Sequence, residues 1–254
     1  AATVTAQALV SLLFFKAVLR EKVLFPLLRL WVLVPVKVWR EIMRIGVPSA
    51  VQNLIYAGIS MILTRLITGW GDLAVAAQRV GSQIESVSWM VGDGFSAAVN
   101  AFLGQNYGAK RYDRVRRGYF CAIAMTAAWG LCTTFLLIGM ARPLFSIFLQ
   151  EEEVMAIGVN YLRIVGLSQM FMMVEQTSIG AFSGLGRTLY PSIISVTFTS
   201  ARIPVAVLLS SVMGLSGIWW ALSISSMVKG CILFVSFVVF LYVFLERKKD
   251  EKTV

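Results

Sequence analysis

Seven apolar stretches, at residues 1–19, 47–69, 73–103, 119–141, 154–183, 189–213 and 215–245, dominate this chain. A helix needs about 20 residues to cross the ~30 Å hydrocarbon core of a bilayer. In lipid every backbone N–H and C=O must be satisfied within the protein, which leaves helices or closed barrels. No short alternating strands of the barrel type are present. The expected fold class is therefore all-α: a polytopic membrane protein. Joints between the stretches carry breakers, at Gly69-Trp70-Gly71-Asp72, Arg142-Pro143, Gly184-Leu185-Gly186 and Gly214-Leu215-Ser216-Gly217.

Charge fixes the expected topology. Lys and Arg in short loops are retained on the cytoplasmic side. One set of loops holds Arg20 to Arg44, then Lys110 to Arg117, Arg187, and Arg247 to Lys252; the other holds Arg65 with Asp72, Arg142 with Glu151 to Glu153, and an uncharged turn at 214–217. The segments 20–45, 104–118, 184–188 and 246–254 are thus expected in the cytoplasm, with six complete spans between them. A net charge of +10 would suit a nucleic-acid binder, but here the cations lie between apolar spans, and no nucleic-acid partner is expected. The fraction of charged residues, 14%, is well below the ~25% of soluble domains.

Other classes fall away on composition. With no His there is no imidazole metal site or His relay, and no metal centre is expected beyond a coupling Na⁺ near Glu175. Cys121, Cys132 and Cys231 lack ligand spacing and read as buried packing residues. No nucleotide-binding loop is present, no cofactor is expected, and no acidic motif suggests an intramembrane transferase; the chain does not read as an enzyme. It begins at Ala1 without Met, inside an apolar span, and reads as a piece of a longer protein. Residues 1–19 would be the end of a preceding helix and 20–45 a linker along the inner surface. Residues 46–245 would form a six-helix lobe, and 246–254 a cytoplasmic tail.

Polar residues recur at helical spacing within the spans. They are Ser49, Gln52, Asn53, Tyr56, Ser60 and Thr64 in one; Gln78, Ser82, Glu85, Asp93, Ser96 and Asn100 in the next; and Ser192, Ser195, Thr199 and Arg202 in a third. Each set falls on one face, away from lipid. Single hydroxyls commonly bond helix to helix, but stripes on several helices together suggest a shared wet cavity. Ionisable residues within a bilayer are costly and mark ion or substrate pathways. Glu175, nine residues before Gly184, would lie roughly 13 Å from the cytoplasmic end. Glu85 and Asp93 share a face, Arg202 and Lys229 are candidate countercharges, and Arg79 and Arg163 would snorkel outward. A secondary transporter coupled through a carboxylate is the leading class.

Several motifs carry a family resemblance. Gly94-Phe95-Ser96 followed by Gly104-Gln105-Asn106-Tyr107-Gly108-Ala109 and the basic run resembles the eighth helix and following loop of the multidrug and toxic compound extrusion (MATE) transporters. Gly46-Val47-Pro48-Ser49-Ala50 is similar to the start of their seventh helix, and Gly184-Leu185-Gly186-Arg187-Thr188 with Tyr190-Pro191 resembles the joint between the tenth and eleventh. The resemblance implies two six-helix lobes exporting drugs or cationic metabolites in exchange for Na⁺ or H⁺ by alternating access. This chain would hold the carboxy-terminal lobe of a bacterial-type member in the plasma membrane. Its partners would be a small xenobiotic, membrane lipid and a missing amino-terminal lobe. Tyr56 stands where some members carry a seventh-helix acid, and Met172 near the place of their tenth-helix acid, with Glu175 almost a turn later. A lipid-linked oligosaccharide flippase of the same superfamily, or a fragment that does not transport alone, are the alternatives.

Overall fold

The computed structural model describes residues 2–20 and 35–245. Two compact units divide the chain, Ala1–Ile42 and Met43–Val254. The first contains α1 (Ala2–Arg20) and the opening turns of α2 (Val36–Thr68). The second contains the rest of α2, then α3 (Asp72–Gly108), α4 (Tyr112–Gly139), the short α5 (Ala141–Ser146), α6 (Glu152–Gly166), α7 (Gln169–Gly184), α8 (Leu189–Ser200), α9 (Arg202–Met213) and α10 (Leu215–Phe240). A wider helical turn at Leu241–Leu245 closes the described chain. By length and composition four of these spans can cross a membrane, counting α8 with α9, and five if α6 and α7 are one bent span. The helix α3 is also long enough, but it carries Asp72, Arg79, Glu85 and Asp93 along its length.

The expected all-α fold is present, with corrections to its joints. The stretch 154–183 is two helices bent by 50° between Gly166 and Gln169. The stretch 189–213 is interrupted only at Ala201, between α8 and α9, and still counts as one span. The Gly104–Gly108 lead-in, expected as a loop, belongs to α3, and most of the basic run opens α4. At 1.5 Å per residue the 37 residues of α3 reach ~55 Å, well beyond the hydrocarbon, so its charged and glycine-rich end can stay helical outside lipid. Residues 36–45, expected as part of a linker, are likewise the first turns of α2, while 21–34 and the 246–254 tail lie outside the described residues. The three cysteines are exposed on the outer surface of the helices, not packed inside, as a small apolar thiol can be when its neighbour is lipid.

Turn chemistry explains the joints the sequence does mark. Gly71, Gly186 and Gly214 all have positive φ; at Gly214 (φ 64, ψ −144) the backbone enters a region essentially closed to other residues, and α9 reverses there into α10. At the opposite end of the lobe, Thr188 donates to the carbonyl of Ile45 at 2.9 Å, tying the α7–α8 corner to α2. Arg116 stacks on Tyr242 and donates to its hydroxyl, and Arg187 lies over Phe240. The cations at 116 and 187 therefore gather at one end of the lobe. Arg142 and Glu152 pair elsewhere, at 2.8 Å and largely in solvent, where such a pair adds little.

Packing centres on α7, which lies against α3, α4 and α10. One apolar cluster unites Leu103, Tyr119, Phe182, Leu233 and Phe237; a second unites Leu137, Phe145, Leu162 and Trp219; a third joins Ile59, Leu63 and Ile67 of α2 to Ala206 and Ile218. Lipid tails are as apolar as these side chains, so close van der Waals fit and hydrogen bonds, not water exclusion, hold such helices together. Between the clusters lies the polar seam.

Candidate functional site

Two adjoining cavities open between α2, α3, α6, α7, α8, α9 and α10. The first, ≈ 280 Å³, is lined by Glu85, Gln78 and Ser82 of α3, by Tyr161, and by Tyr56 and Arg202. The second, ≈ 330 Å³, is lined by Gln52 and Asn53 of α2, by Asp93, Glu175 and Lys229, and again by Tyr56 and Arg202. Each has room for several water molecules. Trp89, Met172, Thr199 and Ser226 line both cavities, so together with Tyr56 and Arg202 they form the wall where the cavities meet. The rings of Tyr56 and Trp89 lie 6.1 Å apart in that wall, tilted by 52°.

All eight residues expected from the sequence line one or both cavities. Their chemistry differs from residue to residue. Glu175 is buried and accepts a 2.7 Å ion-pair hydrogen bond from Lys229 Nζ, which is buried too. Glu85 has no ion pair among the described residues. It accepts instead from three neutral donors: Tyr161 Oη at 3.0 Å, Gln169 Nε2 at 2.8 Å and Trp89 Nε1 at 3.2 Å. Trp89 sits one turn along α3 from Glu85, whereas Tyr161 and Gln169 are supplied by α6 and α7 on either side of their bend. The buried Oε1 of Gln169 has no partner. Asp93 is exposed to its cavity and pairs with no cation among the described residues.

Arg202, a countercharge expected from the sequence, acts on Glu85 through space and not in a direct ion pair. Its Nε donates to Ser225 Oγ at 3.1 Å and its Nη2 to Ser226 Oγ at 2.9 Å, and it stands 6.0 Å from the Tyr56 ring centre, with no acid within ion-pair distance. Sequence reading did not single out Tyr161 and Gln169. The one signal available was the placement of Gln169 just after Gly166-Leu167-Ser168, a polar group at a weak point of an otherwise apolar run.

Apolar helices that carry buried carboxylates and cations around a shared cavity define a multi-pass membrane protein with an intramembrane polar site. The MatE family model matches residues 48–208, and the chain belongs to that family. Among curated relatives, "Probable multidrug resistance protein NorM" of Thermotoga maritima is 29% identical over 187 residues, covering 71% of this chain and 39% of the relative. The protein of the same description from Pseudomonas aeruginosa is 28% identical over 191 residues, with 72% and 39% covered. A solved structure described as the outward-facing conformation of a multidrug resistance MATE family transporter superposes with a TM-score of 0.78 at 18% identity, over 87% of this chain and 50% of that one. The chain thus spans about two fifths of the length of these curated relatives and half of the solved transporter.

Proposed function

We propose that this chain is the carboxy-terminal lobe of a secondary multidrug efflux transporter that exports amphipathic, cationic compounds in exchange for H⁺ or Na⁺ by alternating access. The lobe works against an amino-terminal lobe of the same protein, in the plasma membrane. The ends at 184–188 and 246–254 face the cytoplasm, as the gathered cations favour. The observation that carries the reading is Glu85: a buried carboxylate within membrane helices, facing a cavity, with three neutral donors and no ion pair. Burying a charge without a directly paired countercharge is costly, and taking up a proton or a monovalent cation removes that cost.

The same geometry suggests how the step spreads. Ionised Glu85 accepts from Gln169 Nε2 and leaves Gln169 Oε1 unpartnered. Protonated, it becomes a donor, and a turn of the Gln169 amide presents Oε1 to it. Gln169 is the first residue of α7, immediately after the 50° bend, so its rotation acts where α6 and α7 change direction. Glu175, the coupling residue expected from sequence, is matched by Lys229, which favours Glu85 for the exchange.

The test is Glu85→Gln in the full-length protein, with ethidium efflux driven in turn by imposed H⁺ and Na⁺ gradients in membrane vesicles. Gradient-driven efflux should fall at least about tenfold at normal expression, the order contributed by one positioned proton-transfer group. Whichever gradient drives the wild type identifies the ion. Efflux at the wild-type rate in Glu85→Gln removes Glu85 from coupling.

A further inference from the structure

Once internal pairing is subtracted, the second cavity holds one charge of each sign. Glu175 and Lys229 neutralise each other at 2.7 Å. Asp93 and Arg202 remain; both line this cavity, and neither forms an ion pair among the described residues. Arg202 is the more telling of the two. Only 7% of it is exposed, and a guanidinium has five N–H donors. Two of these meet serine hydroxyls, which are neutral acceptors. A buried cation without a carboxylate is expensive unless a water-filled cavity or a ligand supplies the missing charge.

We propose that Arg202 is an anion subsite, which takes the carboxylate of a zwitterionic aromatic amphiphile whose ammonium end faces Asp93. Planar guanidinium binds carboxylate through two parallel hydrogen bonds, roughly twice the strength of neutral ones. A second polar group lines the same cavity: Ser195 Oγ is buried without a hydrogen-bond partner, on α8 seven residues before Arg202. Thr199 lies between them and lines the cavity as well. The aromatic body meets Tyr56 and Trp89 in the wall beside the guanidinium. Glu85 acts on Arg202 only through space, with no direct ion pair, its oxygens being engaged by Tyr161, Gln169 and Trp89. The assignment deepens the transporter reading, narrowing its cationic ligands to those that also carry a carboxylate, and depends on that reading only for a substrate to be carried.

A matched pair of probes isolates the carboxylate. Nε-dansyl-lysine is a zwitterion, and dansylcadaverine is the same molecule without its carboxylate. Binding is followed by dansyl emission on the purified full-length protein in detergent. Wild type should bind the zwitterion about tenfold more tightly, a difference of about 1.4 kcal/mol. Arg202→Gln should bring the two affinities together, Arg202→Lys should keep part of the preference, and Ser195→Ala should lower it about threefold. Equal or weaker binding of the zwitterion by wild type overturns the proposal, as does a full preference surviving in Arg202→Gln. Should Arg202→Gln not purify as a monodisperse protein, the wild-type ratio and Ser195→Ala decide it. No ion gradient is used, so a missing preference alongside Glu85-dependent efflux defeats the ligand assignment alone. A preserved preference alongside Glu85-independent efflux defeats the coupling reading alone.

Discussion

Glu175→Gln is expected to destabilise the lobe by about 3 kcal/mol or more, because it strands the buried ammonium of Lys229 without its carboxylate. The two groups meet at 2.7 Å, and each is largely hidden from solvent, Lys229 on α10 and Glu175 on α7. Removing one partner of a buried pair leaves an uncompensated charge, whereas replacing both with apolar residues of similar volume is often neutral or stabilising. The double variant Glu175→Leu with Lys229→Leu should therefore recover most of the loss. Thermal unfolding in detergent, followed by gel filtration of the surviving monodisperse protein, reads all the corners of the cycle. A single variant as stable as wild type would mean that the pair is not worth what its burial implies. The double variant also separates structure from coupling. Ion-driven efflux by a folded double variant assigns the pair to holding α7 against α10. Lost efflux from an equally folded double variant returns a coupling role to Glu175.

The polar stripes were readable because helical period is a local property. Gln52, Asn53 and Tyr56 on α2, and Glu85 and Asp93 on α3, share faces whatever else the chain does, and a face rich in polar groups turns away from lipid. The Glu175–Lys229 pairing was half legible, since few cations lie at the right depth; that Lys229 and not Arg202 would be the partner depends on how α10 and α9 pack. The environment of Glu85 was not legible. Its Tyr161 and Gln169 donors are 76 and 84 residues away, and only tertiary packing brings them to it. The break inside 154–183 escaped notice for a related reason. Gly166-Leu167-Ser168 is a weak signal that a continuous helix also tolerates, whereas Pro204, which cannot donate to the carbonyl of Ser200, was a readable mark of the interruption at Ala201. The helix ends were misplaced because a charge run marks where lipid stops, while α3 and α4 continue as helix into the water beyond.

Gly180→Val should be among the most damaging apolar substitutions in the lobe, at about 3 kcal/mol. Gly180-Ala181-Phe182-Ser183-Gly184 spells two glycines four residues apart, the spacing that lets membrane helices approach closely. Opposite them on α3 stand Ser96, Asn100 and Gly104, at the same four-residue spacing. A Cβ at 180 would collide with the backbone carbonyl of Ser96 and come within 2.7 Å of its hydroxyl, and one at 184 would collide with the carbonyl of Asn100. From the other side, a Cβ at Gly104 would meet the carbonyl of Gly184 at 3.0 Å. These obstacles are backbone, so no rotamer change relieves them, and the two helices must part. That contact also holds α3, which carries Glu85 and Asp93, against α7, which carries Gln169 and Glu175. Gly94→Ala, on the same α3 but with nothing near its Cβ, should be harmless or gain up to about 1 kcal/mol of helix propensity. Detergent melting temperatures and monodisperse yield compare the two directly. Were Gly180→Val to fold as well as Gly94→Ala, α3 and α7 could not be packed through these glycines, and the geometry that places Gln169 on Glu85 would fall with that contact.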